Sequence, residues 1–321
     1  MQVTSSDDGY YSLTDNGSPV PYVWGMNGIN RAWWTTWRGP FKRNKDSAYD
    51  RYYGEFVRPL DAWVERQGSL AIRNGINGLS MWTDPAFAVG VQRAKEKLYW
   101  FPVLAHGDED QSGSGSDWSL VDLLMSPTVE MGLEITRRRI EWLRSTIEGL
   151  GANPDEAVHG ISDYNEIEWL LMGYGKSPVL DASRIVRLLW DLLPKSAELL
   201  REAFPRALVL SPRVAGSSRK VWPFGWEGRP IDNMKAHGWE VVRAASAGRD
   251  VLQMNAYGNR SSHLLNDVHD ESGLPIFISE FTHGVLHPTV NVYRWMEYKA
   301  RRLKLAYPLA PPPGDSSASV T

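Results

Sequence analysis

"DVLQMNAYG", residues 250–258, is an apolar run that turns polar at its far end. Strands buried on both faces read as near-continuous runs of this kind, and parallel strands are buried in that way. A short helical stretch near 261–271 separates it from a second such run, "LPIFISEF" at 274–281. Strand, helix, strand is the repeating unit of a parallel α/β sheet.

Working back toward the start, the same alternation recurs. Strands are expected near 22–27, at 76–82 ("INGLSMW"), at 99–107 ("YWFPVLAHG"), at 157–166 ("AVHGISDYNE") and at 207–214 ("ALVLSPRV"). Helices are expected between them. One runs over 52–74, interrupted at Pro59 and Gly68, and one over "PAFAVGVQRAKEKL". A third, at 127–149, places Leu133, Ile140, Leu143, Ile147 and Leu150 on one face. A fourth, at 181–204, has Asp181 as its N-cap and should bend at Pro194. Others cover "IDNMKAHGWEVVRAASAG" and 289–304. A small hairpin turning at Asn16-Gly17 comes first, and "LAPPPGDSSASVT" reads as a disordered tail.

Seven strands, each followed by a helix, suit either a doubly wound sheet or a (β/α)8 barrel. "GMNGIN", after the first strand, lacks the spacing of a dinucleotide-binding loop, and no acid ends the next strand. The length of 321 residues also suits the barrel. The expected class is therefore α/β, a TIM-type barrel. One domain covers 1–304 with its N-terminal hairpin, and 305–321 is a tail, disordered beyond 310. The eighth strand is minimal or missing, with "LAYPLA" as the segment available for it.

Composition narrows the function classes. A net charge of −3 offers no basic excess for nucleic acid, and no apolar run reaches the roughly 20 residues of a membrane span. With no cysteine, disulfides, thiolate metal sites and a cysteine nucleophile are excluded. That composition fits a cytosolic protein or a bacterial secreted one. The polar start is no signal peptide as it stands, and a secreted protein with its leader trimmed is the preferred expectation. Oligomeric state is not legible.

Among 15 tryptophans, many lie beside Gly, Pro or polar residues, as in "RAWWTTWRGP", "SMWTDP" and "KVWPFGWEG". Such residues are either packing anchors or flat faces for sugar rings. Trp34, Trp82, Trp222 and Trp226 are the candidate platforms.

In a barrel the chemistry sits at the carboxyl ends of the strands. Those ends carry Asn27, Asn30 and Arg31, then Trp82, then His106, then Asn165 and Glu166, then Arg213, then Asn255 and Tyr257, then Glu280. Polar groups from seven segments would converge on one rim, with two carboxylates among them. Two carboxyl groups about 5–5.5 Å apart across a glycosidic bond suit a retaining glycosidase.

"YNE" at 164–166 and "FISEF" at 277–281 resemble the two signatures of clan A retaining glycoside hydrolases, the cellulase- and mannanase-like superfamily. The resemblance extends in element order over about residues 10–302. It implies Glu166 as acid/base, Glu280 as nucleophile, Asn165 on the sugar 2-hydroxyl and Tyr257 hydrogen-bonded to the nucleophile. It implies no cofactor, and a β-linked oligo- or polysaccharide as partner. His106, Asn255 and His283 are further candidates for substrate contacts.

The chain departs from the clan in three places. The second strand has Ser80 and Met81 where the clan usually has an arginine, and Arg31 or Arg213 are the residues that could substitute. Asn255 stands where a histidine is frequent. The eighth-strand tryptophan has no counterpart. These departures keep open an alternative, a non-catalytic carbohydrate-binding barrel derived from a hydrolase.

The remaining polar residues have plainer readings. Asp163, of opposite parity to Glu166, is expected to pair with a buried Arg or His. Glu168 is expected to support the loop that follows. His283 and His287 have a helical ligand spacing, but Pro288 interrupts and no third ligand is apparent, so no metal is expected. The acidic loop 108–118 misses the EF-hand pattern and reads as solvated.

Overall fold

The structure is a computed structural model that describes residues 1–5, 11–20, 25–26, 78–82, 85–93, 98–104, 123, 127–165, 167, 171, 181–216, 232–257 and 261–282. The helices expected at 52–74 and 289–304, the eighth-strand segment and the tail lie outside the described residues.

The chain begins with an antiparallel sheet of β1 (Gln2–Ser5), β2 (Tyr11–Asp15) and β3 (Ser18–Val20). Asn16 (φ 51°) and Gly17 (φ 78°) turn β2 into β3. Two successive positive φ values make the turn whose twist matches a hairpin, and Asn-Gly is the pair that adopts them at least cost. The expected hairpin is present, and β1 extends it by one strand.

The alternating part follows. It contains β4 (Gly25–Met26), β5 (Gly78–Trp82), α1 (Ala86–Arg93), β6 (Tyr99–Val103), α2 (Val129–Gly149), α3 (Pro154–Ala157) and β7 (Gly160–Ile161). After these come α4 (Ala182–Ala203), β8 (Leu208–Val209), β9 (Val214–Gly216), α5 (Asp232–Ser246), β10 (Leu252–Tyr257), α6 (Ser261–Ser272) and β11 (Ile276–Thr282).

The order of pairing separates the two candidate architectures. β4, β5 and β6 pair in parallel, and β7 pairs with β8. A parallel bridge from Val103 to Ser162 joins β6 to β7, and another from Leu210 to Val251 joins β8 to β10. β10 lies in parallel between β9 and β11. Each strand therefore neighbours the next one in sequence. A doubly wound sheet reverses this order at a switch point, and no reversal occurs among the described residues. Sequential order in one direction is how a barrel is wound.

Two strands are shorter than the sequence suggests. The fourth was expected from 157. Instead Asn153 caps α3 by accepting the Asp155 N–H at 3.0 Å, and Pro154 occupies its first turn. Proline is suited to that position because its missing N–H would be unpaired there anyway. The fifth strand is divided into β8 and β9. Pro212, between them, has no N–H for a ladder bond, so a central strand is interrupted there.

The helices shield one face of this sheet. Thr128 caps α2 by accepting the Met131 N–H at 3.1 Å. Ile140, Leu143 and Ile147 of α2 are buried as expected, and Leu133 and Leu150 are partly buried against the same layer. Asp181 caps α4 through the Ser183 N–H at 3.0 Å, and α4 runs unbroken through Pro194. Trp100, Ile161, Val209, Leu252, Met254 and Ile276 face the helix layer.

The opposite face packs differently. Tyr99, Phe101, Leu208, Leu210, Val251 and Phe277 gather with Leu13 and Val20 of the N-terminal sheet. That sheet covers the amino end of the strands. Arg206 fixes it by donating to Asn16 Oδ1 at 3.1 Å. Gly160 is part of this packing: a Cβ there would lie 2.8 Å from Phe101 Cδ1 and 3.1 Å from Leu210 Cδ1. No helix of the described residues is long and apolar enough to cross a membrane.

Candidate functional site

The carboxyl edge of the strands is irregular at the two places where the sequence puts an acid. Between β10 and β11 the register runs Leu252 to Ile276, Gln253 to Phe277 and Met254 to Ile278, then shifts so that Asn255 pairs with Glu280. Ser279 is the extra residue. Ala215 of β9 pairs with Asn255 from the other side. One row across three strands thus reads Ala215, Asn255, Glu280. Tyr257, two residues further, is in register with Thr282. A bulge of this kind changes which residue shares a partner's position, because alternation along a strand has a period of two.

The second irregularity lies between the fourth and fifth strands. Arg213 N donates to Tyr164 O at 3.0 Å, and Ile167 N donates to Arg213 O at 3.3 Å. In a regular parallel ladder the second donor would come one residue earlier, so the chain between Tyr164 and Ile167 holds one residue more than the ladder needs. Asn165 is only 5% exposed, and its Oδ1 has no hydrogen-bond partner among the described residues. A buried acceptor left open is uncommon and invites a donor from outside the chain.

Below this rim the sheet interior is polar. Ser211 Oγ accepts the Gln253 N–H at 2.8 Å, and Gln253 Nε2 donates to Ser211 O at 3.1 Å. Ser162 Oγ and Gln253 Oε1 are buried without partners among the described residues. Arg213, 0% exposed, belongs to the same region. Sequence reasoning singled out Arg213 and missed Ser162, Ser211 and Gln253. The available signal was a glutamine at an interior position of an otherwise apolar run, "VLQM".

Asp163 behaves as expected. Its carboxylate accepts from Arg249 Nη2 at 2.7 Å and Nη1 at 3.2 Å, and from Ser196 Oγ at 2.6 Å. Both side chains of the ion pair are essentially excluded from solvent. Beside it, burial pushes the Tyr164 phenol far above its usual range, and the Asp163 charge adds to the shift. Tyr164 is therefore a neutral donor, and its hydroxyl donates to Gly132 O at 3.3 Å.

Of the expected site residues, Asn255 and Glu280 share one row and Tyr257 lies two residues further along β10, while Asn165 lies just past the carboxyl end of the fourth strand. Trp82 ends β5, in register with Val103 of β6. Glu166, Trp34, His106, His283, Trp222 and Trp226 lie outside the described residues, as do Glu168, His287 and loop 108–118. No cluster of metal-ligating side chains occurs among the described residues.

No family model and no curated protein matches the sequence. Solved structures do match by shape. An endo-1,4-beta-mannanase from Rhizomucor miehei aligns with a TM-score of 0.59 at 14% identity, over 96% of this chain and 89% of that one. An endo-beta-1,4-mannanase from Thermotoga petrophila aligns at 0.55 and 14%, over 91% and 68%. The chain has the barrel fold of these glycosidases. An agarase, AgWH50C, aligns at 0.52 and 17%, covering 87% of this chain, which spans about half (49%) of the agarase. This likeness matches the sequential parallel order of the strands.

Proposed function

We propose that the chain is a retaining O-glycoside hydrolase acting on a β-linked oligo- or polysaccharide. Glu166 serves as acid/base and Glu280 as nucleophile. The observation that carries this reading is the pair of register irregularities. One adds Ser279 just before Glu280, and the other lengthens the strand end between Tyr164 and Ile167, the stretch of the YNE signature. Bulges next to active sites re-aim a position without disturbing the strand below it.

The mechanism follows from the chemistry of two carboxyls. Glu166, protonated, gives its proton to the glycosidic oxygen as the bond to the anomeric carbon breaks. Glu280, ionised, attacks that carbon from the opposite face and forms a glycosyl-enzyme. Glu166 then takes a proton from water, which attacks the anomeric carbon and releases Glu280. Asn165 accepts from the sugar 2-hydroxyl through the buried Oδ1 that has no partner among the described residues. Asn255 and Tyr257, on the strand next to Glu280, support the nucleophile and the sugar bound to it. The named neighbours are mannanases and an agarase, which favours a β-glycan as substrate.

The test is hydrolysis of a panel of β-mannan, agarose, β-glucan and xylan by the wild type, Glu166→Ala and Glu280→Ala. Turnover of one glycan by the wild type, lost in both variants, is expected. Activity that survives Glu280→Ala contradicts the assignment. Binding without turnover by the wild type supports a carbohydrate-binding barrel instead.

A further inference from the structure

The buried polar groups behind the fourth strand tie two adjacent residues, Asp163 and Tyr164, to the helix layer. Tyr164 OH donates to Gly132 O. Thr136 Oγ1 donates to the same carbonyl at 3.0 Å and lies 3.3 Å from Ser196 Oγ. Ser196 Oγ donates to Asp163 Oδ2 at 2.6 Å. Asp163 and Tyr164 are thus tied to α2 and α4 from both sides. Arg249 closes the other side. Besides its two bonds to Asp163, Nη1 donates to Leu210 O at 3.0 Å and Nη2 to Leu193 O at 3.0 Å. One guanidinium therefore joins the fourth strand, the residue after β8 and α4.

A simple stabilising role does not explain this arrangement well. A buried ion pair contributes little beyond what an apolar pair of the same size would, because both charges must be stripped of water. What distinguishes this one is its place. Asn165 and Glu166 come directly after Asp163 and Tyr164, at the point where the ladder to Arg213 takes in an extra residue. An irregular turn at a strand end has few bonds of its own to hold it.

We propose that Asp163 and Arg249 are positioning residues, a clamp that fixes the strand end at Tyr164 and Asn165, the residues that precede Glu166 in sequence. The catalytic part of this statement rests on the glycosidase reading above, whereas the clamp itself does not. Neither residue touches substrate. The clamp acts through the main chain, holding the acid where its proton can reach the leaving oxygen.

The experiment uses the full chain with Asp163→Leu and Arg249→Met combined, which removes both charges together. The first readout is amide exchange at Ile167 and Arg213, the two donors that bracket the turn. Exchange about tenfold faster at these two amides, with α2 and α4 amides unchanged, is expected. Wild-type rates at both overturn the proposal. If the double variant does not fold, Ser196→Ala removes one bond to Asp163. A smaller acceleration at the same two amides is then expected, and unchanged exchange again overturns the clamp.

The second readout uses 2,4-dinitrophenyl and 4-methylumbelliferyl β-glycosides of the sugar found in the panel. A dinitrophenolate leaves without a proton, whereas the umbelliferyl oxygen benefits from one. Loss of roughly 10- to 100-fold in kcat for the umbelliferyl substrate, with the dinitrophenyl rate nearly kept and KM little changed, is the signature of a displaced acid. Equal losses on both substrates indicate general damage and overturn the positioning role. Failure of the glycosidase reading shows separately, as activity surviving Glu280→Ala, and leaves the exchange result to decide the clamp.

Discussion

The two ends of the same strands are built on opposite principles. At the amino end, Tyr99, Phe101, Leu208, Leu210, Val251 and Phe277 close against Leu13 and Val20, in a packing so tight that Gly160 has no room for a Cβ. At the carboxyl end, Ser162 and Asn165 each keep a buried polar atom with no partner among the described residues, and both irregular registers are found there. One end stores stability. The other gives some of it up for open hydrogen-bonding capacity and re-aimed strand ends, which is how functional sites commonly depart from ideal packing.

Substitutions at the two ends should therefore have opposite signatures. The largest effect is expected from Glu280→Ala, which should lower glycan hydrolysis by about 10³-fold or more, equivalent to about 4 kcal/mol of barrier. Its thermal unfolding should match the wild type, and a parallel fall in Tm would blur the contrast.

Leu13→Ala, at the amino end, should do the reverse. Truncating a leucine that is 2% exposed is expected to cost about 3 kcal/mol in denaturant unfolding, with kcat per folded molecule unchanged. Gly160→Ala tests the same packing from the other direction. Its Cβ would meet Phe101 Cδ1 at 2.8 Å, and overpacking of this kind should cost about 2 kcal/mol. A neutral result would show that the amino end has more slack than its contacts suggest.

The smallest effects sharpen the comparison. Ser162→Ala removes a buried hydroxyl that has no partner among the described residues, so it should stabilise by about 1 kcal/mol. A loss of stability would mean that an ordered water satisfies that hydroxyl. Thr128→Ala removes the N-cap of α2, far from both ends. It should cost about 1 kcal/mol, near 3 °C in Tm, with no change in activity.

Much of the fold was legible because its signals are local. The apolar runs "VLQM" and "PIFI", the Asn16-Gly17 turn, the Asp181 cap and the apolar face of α2 each announce an element within a few residues, and each is present. The expectation for Asp163 also held, since a carboxylate inside a strand needs a buried cation and Arg249 supplies it.

What was not legible depends on register. No local pattern says that Ser279 is extra and that Glu280 pairs with Asn255, because alternation alone would assign Ser279 to that row. The shift between Tyr164 and Ile167 is equally silent, as it appears only in which amide bonds to Arg213. The circuit through Thr136, Ser196 and Arg249 joins residues more than 100 positions apart at its extremes. Their spacing carries no period, so only the folded chain brings them together.

The central claim is that one rim holds two cooperating carboxyl groups. The measurement that tests it most directly is the distance between the carboxyl carbons of Glu166 and Glu280 in a crystal structure of the full chain. A retaining site predicts about 5–5.5 Å. A separation of about 9 Å or more would contradict double displacement and leave Glu280 without the role assigned to it.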